Sequence, residues 1–325
     1  MPVLTSDYSA PSWCPGSHMQ TVVPARLSKT PEVQYRREFL TTPDGDIVVW
    51  DWVKPEPADP KTPVMIHFHG LEGSSGSHYA RAFMDACVKA GWRGVVAHFR
   101  TCGGVMNRFP RAYFAGDTAD NRWVLETVKA RFPDAPRYAV GVSLGGNQLS
   151  KCLGDIGSEG EELLTAAVSV CAPLDLVAGS ERISKGVNFL YADMFLGTLK
   201  EKLREKAKMF PGEFDAKRIE ACNTMFDFDE LYTSRIHGFR NAMDYWQKCS
   251  AKPALPGVRV PLLLLNAKND PFLPAWILPS ALEVSDRVCI EYPEEGGHVG
   301  FPEGKIPGRN TYLARRIMRF FKEGR

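Results

Sequence analysis

Apolar residues occur along the chain in short runs that are separated by amphipathic or polar segments. Six runs have the continuous apolar character of strands that are buried on both faces, namely residues 64–69, 94–99, 138–142, 166–171, 262–266 and 288–292. Two β-type segments precede them, residues 37–41 and 46–53, with a Pro-Asp-Gly turn between the two. Helical spacing is found at residues 80–90, 118–131, 144–153 and 309–322.

This alternation predicts an α/β fold with a mostly parallel central sheet of about eight strands and helices on both faces. The alternation stops between residues 174 and 257, where several helices and no strand are indicated. We therefore expect a core made of residues 1–173 and 258–325, and a helical cap made of residues 174–257 inserted after the sixth strand. Open α/β sheets bind ligands at the carboxyl ends of their strands, so the cap is expected over that edge.

One helix of the expected cap has two chemically different sides. Its apolar side carries Leu196, Leu199, Leu203 and Phe210, and the opposite side carries Lys200, Lys202, Arg204, Lys206 and Lys208. This spacing is typical of a helix that packs through one apolar stripe. We expect the basic side chains to point away from the packed side.

The composition excludes several classes of protein. Of the 325 residues, 44% are hydrophobic and 24% are charged, as in ordinary globular proteins, and the formal net charge is +2. Acidic and basic residues are mixed along the chain, which argues against nucleic acid as a partner. Because neither a secretory leader nor a run of bilayer-spanning length is visible, a cytoplasmic location without a transmembrane segment is expected. The eight cysteines are scattered singly, which predicts reduced thiols and no metal site.

The most specific local signal is a G-x-S-x-G sequence at residues 141–145, in which the serine is Ser143. It follows an apolar strand and precedes a helical segment, which is the setting of a nucleophile on a tight strand-to-helix turn. Such a turn strains the backbone at the serine, and the glycines on either side remove side chains that would collide. The sequence therefore predicts an exposed, nucleophilic Ser143 at the edge of an α/β-hydrolase sheet.

Two backbone amides are candidates for an oxyanion hole beside this serine. The amide of Leu144 begins the helix after the turn, where the free N–H groups and the positive end of the helix dipole favour negative charge. The second amide is expected from the loop at residues 67–73, His-Phe-His-Gly-Leu-Glu-Gly, and Leu71 is the candidate. We expect His69 to shape this loop.

A serine hydroxyl needs a base and a third group that orients the base, and this fold supplies them in the order serine, acid, histidine. Asp270 follows the strand at residues 262–266, and His298 follows the last strand among flexible glycines that would let its ring reach Ser143. Asp175, after the preceding strand, is the alternative acid. The role of His78 stays open.

Several motifs together resemble one family of hydrolases. They are residues 18–21 (His-Met-Gln-Thr), 67–74, 107–113, 116–118, 237–239, 244–246, 269–272 and 296–301. They are similar to those of the YheT-like α/β hydrolases, bacterial relatives of eukaryotic α/β-hydrolase-domain lipid hydrolases and of yeast alcohol acyltransferases. The likeness covers most of the chain. In the loop at residues 100–104, this chain has threonine where the family pattern has a glycine after the arginine.

The resemblance implies a serine esterase whose triad is Ser143, Asp270 and His298. The expected reaction is hydrolysis of a small-molecule ester with a short- to medium-chain acyl group, through an acyl-enzyme and without a cofactor. Two other functions stay open. The yeast relatives imply an alcohol acyltransferase, and some hydrolase folds serve as binding proteins without turnover. The sequence indicates neither the acyl chain length nor the oligomeric state.

Overall fold

The computed structural model describes residues 3–324 and contains one sheet of eight strands in the order β1-β2-β4-β3-β5-β6-β7-β8. The strands are β1 (Tyr35–Thr41), β2 (Ile47–Val53), β3 (Val64–Phe68), β4 (Arg93–Ala97), β5 (Arg137–Val142), β6 (Ala166–Val170), β7 (Leu262–Leu265) and β8 (Val288–Glu291). Strand β2 pairs antiparallel with β1 and β4, and all other neighbours are parallel. The predicted eight-stranded, mostly parallel sheet is confirmed.

Helices cover both faces of this sheet. Before β7 they are α1 (Ser17–Arg26), α2 (His78–Ala90), α3 (Thr118–Arg131), α4 (Leu144–Ile156), α5 (Glu159–Leu163), α6 (Leu176–Ile183), α7 (Phe189–Met209), α8 (Ala216–Glu220), α9 (Met225–Phe228), α10 (Ser234–Ile236) and α11 (Ala242–Cys249); α12 (Tyr312–Glu323) follows β8. Shorter helical turns lie at Gly186–Asn188, Lys252–Gly257, Ala275–Ile277 and Ala281–Glu283, and a π-helical turn at Asp229–Thr233. Within residues 3–324, no helix is both long and apolar enough to cross a membrane.

The continuous apolar strands are explained by burial on both faces. In β7, Leu262 and Leu264 join the cluster that contains residues of α3 and α4, while Leu263 and Leu265 join the cluster that contains residues of α2 and α12. Successive side chains of a strand point to opposite faces, so a strand with helices on both sides needs apolar residues at every position.

The segment between β6 and β7 contains helices only in the structure. Leu196 and Leu203 of α7 are buried in a small cluster with Phe228 and Tyr232, as the apolar stripe predicted. The division of the chain into a core and a cap at residues 174 and 257 stays a prediction.

The expectation for the basic side of α7 is wrong at two positions. The side chain of Lys206 is buried, and its ammonium group donates to Asn107 Oδ1 at 2.6 Å and to Phe109 O at 2.6 Å. Lys202 donates to Glu72 Oε1 at 2.8 Å, in the loop after β3. Lys206 lies three residues after Leu203, so it falls on the same stripe as the leucines, and Lys202 lies at the margin of that stripe. The loops that follow β3 and β4 pack against these two lysines, whereas Arg204 and Lys208, on the opposite side of the helix, are exposed.

The buried Lys206 should make stability rise with pH. Burial lowers the pKa of its ammonium group to about 8, with Arg100 also lowering it and Asp46 opposing. Between that pH and the ordinary lysine pKa of about 10.4, only the unfolded chain keeps the proton, so folding is favoured as pH rises. In urea denaturation from about pH 7 to pH 10, we expect the free energy of unfolding to rise more in the unmodified chain than in Lys206→Met. Equal pH dependence of the two proteins would contradict this.

The loop after β4 begins with a buried ionic cluster. The guanidinium of Arg100 donates to Asp46 at 2.7 Å, to Asp120 at 2.7 and 2.8 Å, and to Asp44 at 3.1 Å. Burial alone would lower the pKa of Arg100, but these carboxylates outweigh it and raise the pKa above its ordinary value. Arg100 therefore stays charged and ties the loop after β4 to the turn between β1 and β2 and to α3.

Thr101 has a left-handed backbone, with φ 69°. This is the position at which the family resemblance leads us to expect glycine, and a β-branched residue is rarely found in this region of φ. The departure noted in the sequence therefore lies at a strained residue. Because Thr101 lines the cavity that also contains the Ser143 side chain, the strain is located in the wall around the predicted nucleophile.

Candidate active site

Ser143 lies between the end of β5 and the start of α4, with φ 52° and ψ −120°. A Cβ at Gly141 would lie 2.4 Å from the carbonyl oxygen of Gly145, and a Cβ at Gly145 would lie 2.4 Å from that of His69. The two glycines of the motif are thus required by close backbone packing. The turn presents the Ser143 side chain to the cavity, as the motif predicted.

Ser143, His298 and Asp270 form one chain of hydrogen bonds. His298 Nε2 lies 3.0 Å from Ser143 Oγ, and His298 Nδ1 lies 2.7 Å from Asp270 Oδ2. A carboxylate only accepts, so the ring carries its proton on Nδ1 and leaves Nε2 free to accept the proton of Ser143. The structure therefore brings the three predicted residues together, from loops at the ends of β5, β7 and β8.

Both carboxylate oxygens of Asp270 take part in hydrogen bonds. The side chain of Asp270 is buried, and Oδ1 accepts a hydrogen bond from the Phe272 amide at 2.8 Å while Oδ2 faces His298. Asp175, the alternative acid, instead caps α6 by accepting from the Ala178 amide at 3.1 Å. In this arrangement Asp270 orients the histidine, and Asp175 stabilises a helix end.

The two predicted oxyanion amides belong to residues near the serine. Leu144 follows Ser143 directly as the first residue of α4, and a Cβ at Gly70, the residue before Leu71, would lie 3.3 Å from Ser143 Cβ. Both leucines line the same cavity as the serine. No acceptor among the described residues takes the amide hydrogen of Leu71 or of Leu144. Both amides are therefore available to a ligand.

His69 fixes the peptide that carries the Leu71 amide. Its Nδ1 donates to Gly70 O at 2.7 Å, and its Nε2 accepts from the Phe99 amide at 3.2 Å. Burial holds the pKa of His69 well below its ordinary value, so the ring is neutral and has the one donor and one acceptor that these contacts need. In a trans peptide C=O and N–H point in opposite directions, so anchoring Gly70 O also orients Leu71 N–H.

Left-handed backbone conformations in residues other than glycine are concentrated at this edge of the sheet. In the part of the chain that the structure describes, they occur at Glu72, Thr101, Ser143, Cys171, Val299 and Phe301. All six lie in segments that follow strands β3, β4, β5, β6 and β8. Each such residue costs on the order of 1–3 kcal/mol, and strain of this kind is typical of functional sites.

A cavity of about 960 Å³ contains the side chains of Ser143 and His298. Residues of α6, α7 and α9 form much of its wall, and the wall is mainly apolar. Exposed residues of α1 and α7 also line it, among them the apolar Val22, Leu190 and Met194 and the polar His18 and Arg26. The cavity therefore extends from Ser143 to the surface of the protein.

Several polar side chains interrupt the apolar wall, among them Glu72 and Asp229. Glu72 Oε1 accepts from Lys202 Nζ at 2.8 Å and from Tyr113 Oη at 2.7 Å, so this pair is internally neutralised. Asp229 lies in the π-helical turn and accepts from Trp246 Nε1 at 2.8 Å. Burial raises the pKa of Asp229 to about 6, although hydrogen bonds from Thr233 and Trp246 lower it.

His78 supports the loop that carries His298. Its Nε2 donates to Val299 O at 3.2 Å, and burial lowers its pKa to about 4, so the ring is neutral.

The loop that carries His298 also contacts helix α1. The sequence patterns do not predict this helix, because Pro24 lies inside it and its apolar residues lack helical spacing. In the sequence, this segment is marked only by the motif at residues 18–21.

One group of side chains has the composition of a possible metal site. Among the His, Cys, Asp and Glu residues of 3–324, it is the one group of three or more whose potential ligand atoms all lie within 4.8 Å of one another, and it consists of Cys171, Asp270 and His298. Burial raises the pKa of the Cys171 thiol, and the nearby Asp270 raises it further, so the sulfur stays protonated. Metals bind the thiolate rather than the thiol, and His298 Nδ1 is already bonded to Asp270. The group fits a hydrogen-bonded cluster better than a metal site.

Comparison with known sequences gives relatives along nearly the whole chain. A family model described as the alpha/beta hydrolase fold matches residues 63–217. YheT of Escherichia coli (strain K12) is 38% identical over 92% of this chain and 88% of its own length. Phospholipase ABHD3 of Homo sapiens is 31% identical, and the match covers 98% of this chain and 79% of that protein.

Comparison with solved structures supports the fold independently. The esterase Pf2001 of Pyrococcus furiosus superposes with a TM-score of 0.53 at 14% identity, over 92% of this chain and 97% of that one. Est1E of Butyrivibrio proteoclasticus, solved with ferulic acid bound, gives 0.55 at 13% identity, over 88% and 98%. At these identities the likeness shows a shared fold and nothing finer.

Proposed function

This chain belongs to the YheT-like family of α/β hydrolases, and from that premise we propose that it is a serine esterase with Ser143, His298 and Asp270 as its catalytic triad. The observation that carries the proposal is the unbroken hydrogen-bond chain from Ser143 Oγ through His298 to Asp270, with Ser143 and His298 both lining one cavity. A lone G-x-S-x-G sequence would not support it as strongly.

In the first half of the proposed reaction, Ser143 Oγ attacks the ester carbonyl as His298 Nε2 takes its proton. The carbonyl oxygen becomes an oxyanion, and the amides of Leu71 and Leu144 donate to it. Asp270 keeps the ring in the required tautomer and stabilises the imidazolium that forms. The tetrahedral intermediate then collapses, and His298 gives the proton to the departing alcohol.

In the second half, water replaces the alcohol. His298 takes a proton from water, the resulting hydroxide attacks the acyl-enzyme carbonyl, and the acid leaves as Ser143 regains its proton. Exposed residues of α1 and α7 line the cavity that holds Ser143, which supports access of water to the acyl-enzyme.

The cavity supports an ester with an apolar acyl or alcohol group. Its wall is mainly apolar, and a volume of about 960 Å³ is at the upper end of the usual range for small-molecule sites. We propose short- to medium-chain acyl esters as the substrate class. The names of the relatives, phospholipase and monoacylglycerol lipase among them, fit a substrate with an acyl chain.

A panel of p-nitrophenyl esters from acetate to palmitate tests the proposal, combined with a fluorophosphonate probe and mass spectrometry of the labelled peptide. We expect turnover of the panel members with short or medium chains and a single label on Ser143. When ethanol is added to the same assay, the amount of ethyl ester formed, compared with the amount of free acid, measures acyl transfer against hydrolysis. A protein that neither turns over any ester nor takes up the probe would be a binding protein, and the proposal would be wrong.

A further inference from the structure

Helix α1 contacts both loops that carry the proposed acid and base. Gln20 is completely buried, and its Oε1 accepts from the Gly296 amide and from Asn269 Nδ2, each at 2.9 Å. Asn269 precedes Asp270, and Gly296 lies two residues before His298. One side-chain oxygen therefore joins the acid loop to the base loop.

The amide nitrogen of Gln20 is held equally firmly. Nε2 donates to Cys14 O and to Glu295 Oε1, both at 3.1 Å. A glutamine amide has two donors and two acceptor lone pairs, and here all four are used. Because a fully satisfied buried network has one arrangement, it fixes its members more rigidly than a partly satisfied one.

Thr21 holds the backbone of the histidine itself. Its Oγ1 donates to Ser17 O at 2.7 Å, which leaves the oxygen lone pairs to accept from the His298 amide at 2.9 Å. The hydroxyl thus connects the first turn of α1 to the residue proposed as the base. Gln20 therefore holds the loop at Gly296, two residues before the histidine, and Thr21 holds the backbone of His298 itself.

The glycines of the histidine loop are needed for this contact. A Cβ at Gly300 would lie 1.6 Å from Gln20 O, and a Cβ at Gly297 would lie 2.8 Å from Ser17 O and from Thr21 Oγ1. The sequence suggested that these glycines make the loop flexible. In the structure they let α1 lie directly against the loop, which restrains it.

We propose that Gln20 and Thr21 are positioning residues, which hold His298 between Ser143 and Asp270 by fixing the two loops to α1. This inference rests on the proposed function, since positioning matters only if the triad reacts. A displacement of about 1 Å at a reacting group costs on the order of 100-fold in rate. Loss of either side chain should therefore act on kcat.

The test of Gln20 replaces it with methionine, which has a similar length and no hydrogen-bonding amide. We expect Gln20→Met to lower kcat for a p-nitrophenyl ester by on the order of 10- to 100-fold. KM should change little, because Gln20 does not line the cavity. Met19→Ala, an exposed neighbour on the same helix that also lies outside the cavity wall, is the matched control and should keep the unmodified kcat.

A double variant tests the hydrogen bonds rather than the packing. Gln20→Glu alone places a carboxylate against Glu295 and should be impaired. Gln20→Glu with Glu295→Gln keeps the acceptors for Gly296 and Asn269 and supplies a donor from residue 295, although Cys14 O loses its donor, so it should have a higher kcat than Gln20→Glu alone. A role in packing alone would leave the double variant no better than Gln20→Glu.

Thr21 gives a second, independent comparison. Thr21→Val keeps the shape and removes the acceptor for the His298 amide, whereas Thr21→Ser keeps it. We expect Thr21→Val to lose kcat by on the order of 10-fold or more and Thr21→Ser to retain it. If Gln20→Met does not fold, as thermal unfolding would show, this pair decides the question.

The outcomes separate the inference from the proposed function. If Ser143→Ala keeps its activity, the proposed function is wrong. If Ser143→Ala is inactive while folded Gln20→Met and Thr21→Val have the unmodified kcat, only the positioning inference is wrong. It is also overturned if the losses appear equally in Thr21→Ser and the exchange at residues 20 and 295 gives no higher kcat than Gln20→Glu alone.

Discussion

Replacing Ser143 with alanine is expected to lower kcat for ester hydrolysis by on the order of 10⁶-fold. The substitution removes the oxygen that forms the acyl-enzyme and leaves His298 without a proton to accept. The fold should persist, because the Ser143 amide still donates to Val170 O and, within residues 3–324, the hydroxyl has only His298 as a partner. Initial rates with the best ester of the panel, together with the thermal unfolding midpoint, measure both effects.

Ser150→Ala is the matched control for this substitution. Ser150 is a fully buried serine on the same helix as the nucleophilic turn, and its hydroxyl has no hydrogen-bond partner within residues 3–324. Its loss should leave both ester hydrolysis and fluorophosphonate labelling unchanged. Turnover by Ser143→Ala at the rate of the Ser150→Ala control would mean that another group is the nucleophile.

The parts of the site that follow from sheet topology could be predicted from the sequence. Ser143, Asp270 and His298 are far apart along the chain, but each follows a strand of one parallel sheet. The carboxyl ends of parallel strands meet at one edge, so the order of strands and motifs was enough to bring these residues together.

The contacts of α1 could not be predicted in this way. Gln20 and Thr21 lie in a helix whose sequence contains Pro24 and has no regular apolar stripe, so its local pattern does not indicate a helix. Its stability comes from buried hydrogen bonds to loops more than 200 residues later in the chain, at Asn269 and Gly296. A pattern read over a window of ten to twenty residues cannot contain such contacts.

The error at Lys202 and Lys206 has a related cause. Lys206 lies three residues after Leu203, so helical spacing itself places it on the apolar stripe, and Lys202 lies at the margin of that stripe. The local pattern does not show that the loops after β3 and β4 pack there and provide Glu72 for Lys202 and Asn107 for Lys206. Long lysine side chains pack well along apolar surfaces, so a basic position does not by itself indicate solvent.

Replacing Asp270 with asparagine should lower kcat by on the order of 10⁴-fold, although the two side chains have almost the same shape. The Phe272 amide donates to Oδ1, so the oxygen of an asparagine would stay there and its NH₂ group would face His298 Nδ1. Two donors cannot share that contact, and the ring would move its proton to Nε2. In that tautomer His298 cannot accept the proton of Ser143. Steady-state kinetics near neutral pH, where spontaneous hydrolysis of the ester is slow, would show the loss in kcat, with KM little changed.

Asp175→Asn distinguishes orientation of the base from a general effect of removing a charge near the site. Asp175 caps α6 through the Ala178 amide, and asparagine caps helices about as well as aspartate, so activity and stability should stay near those of the unmodified chain. A large loss in Asp175→Asn, with Asp270→Asn nearly as active as the unmodified chain, would exchange the roles of the two acids. Because only Asp270 contacts His298 and the Phe272 amide together, we expect the loss at residue 270 alone.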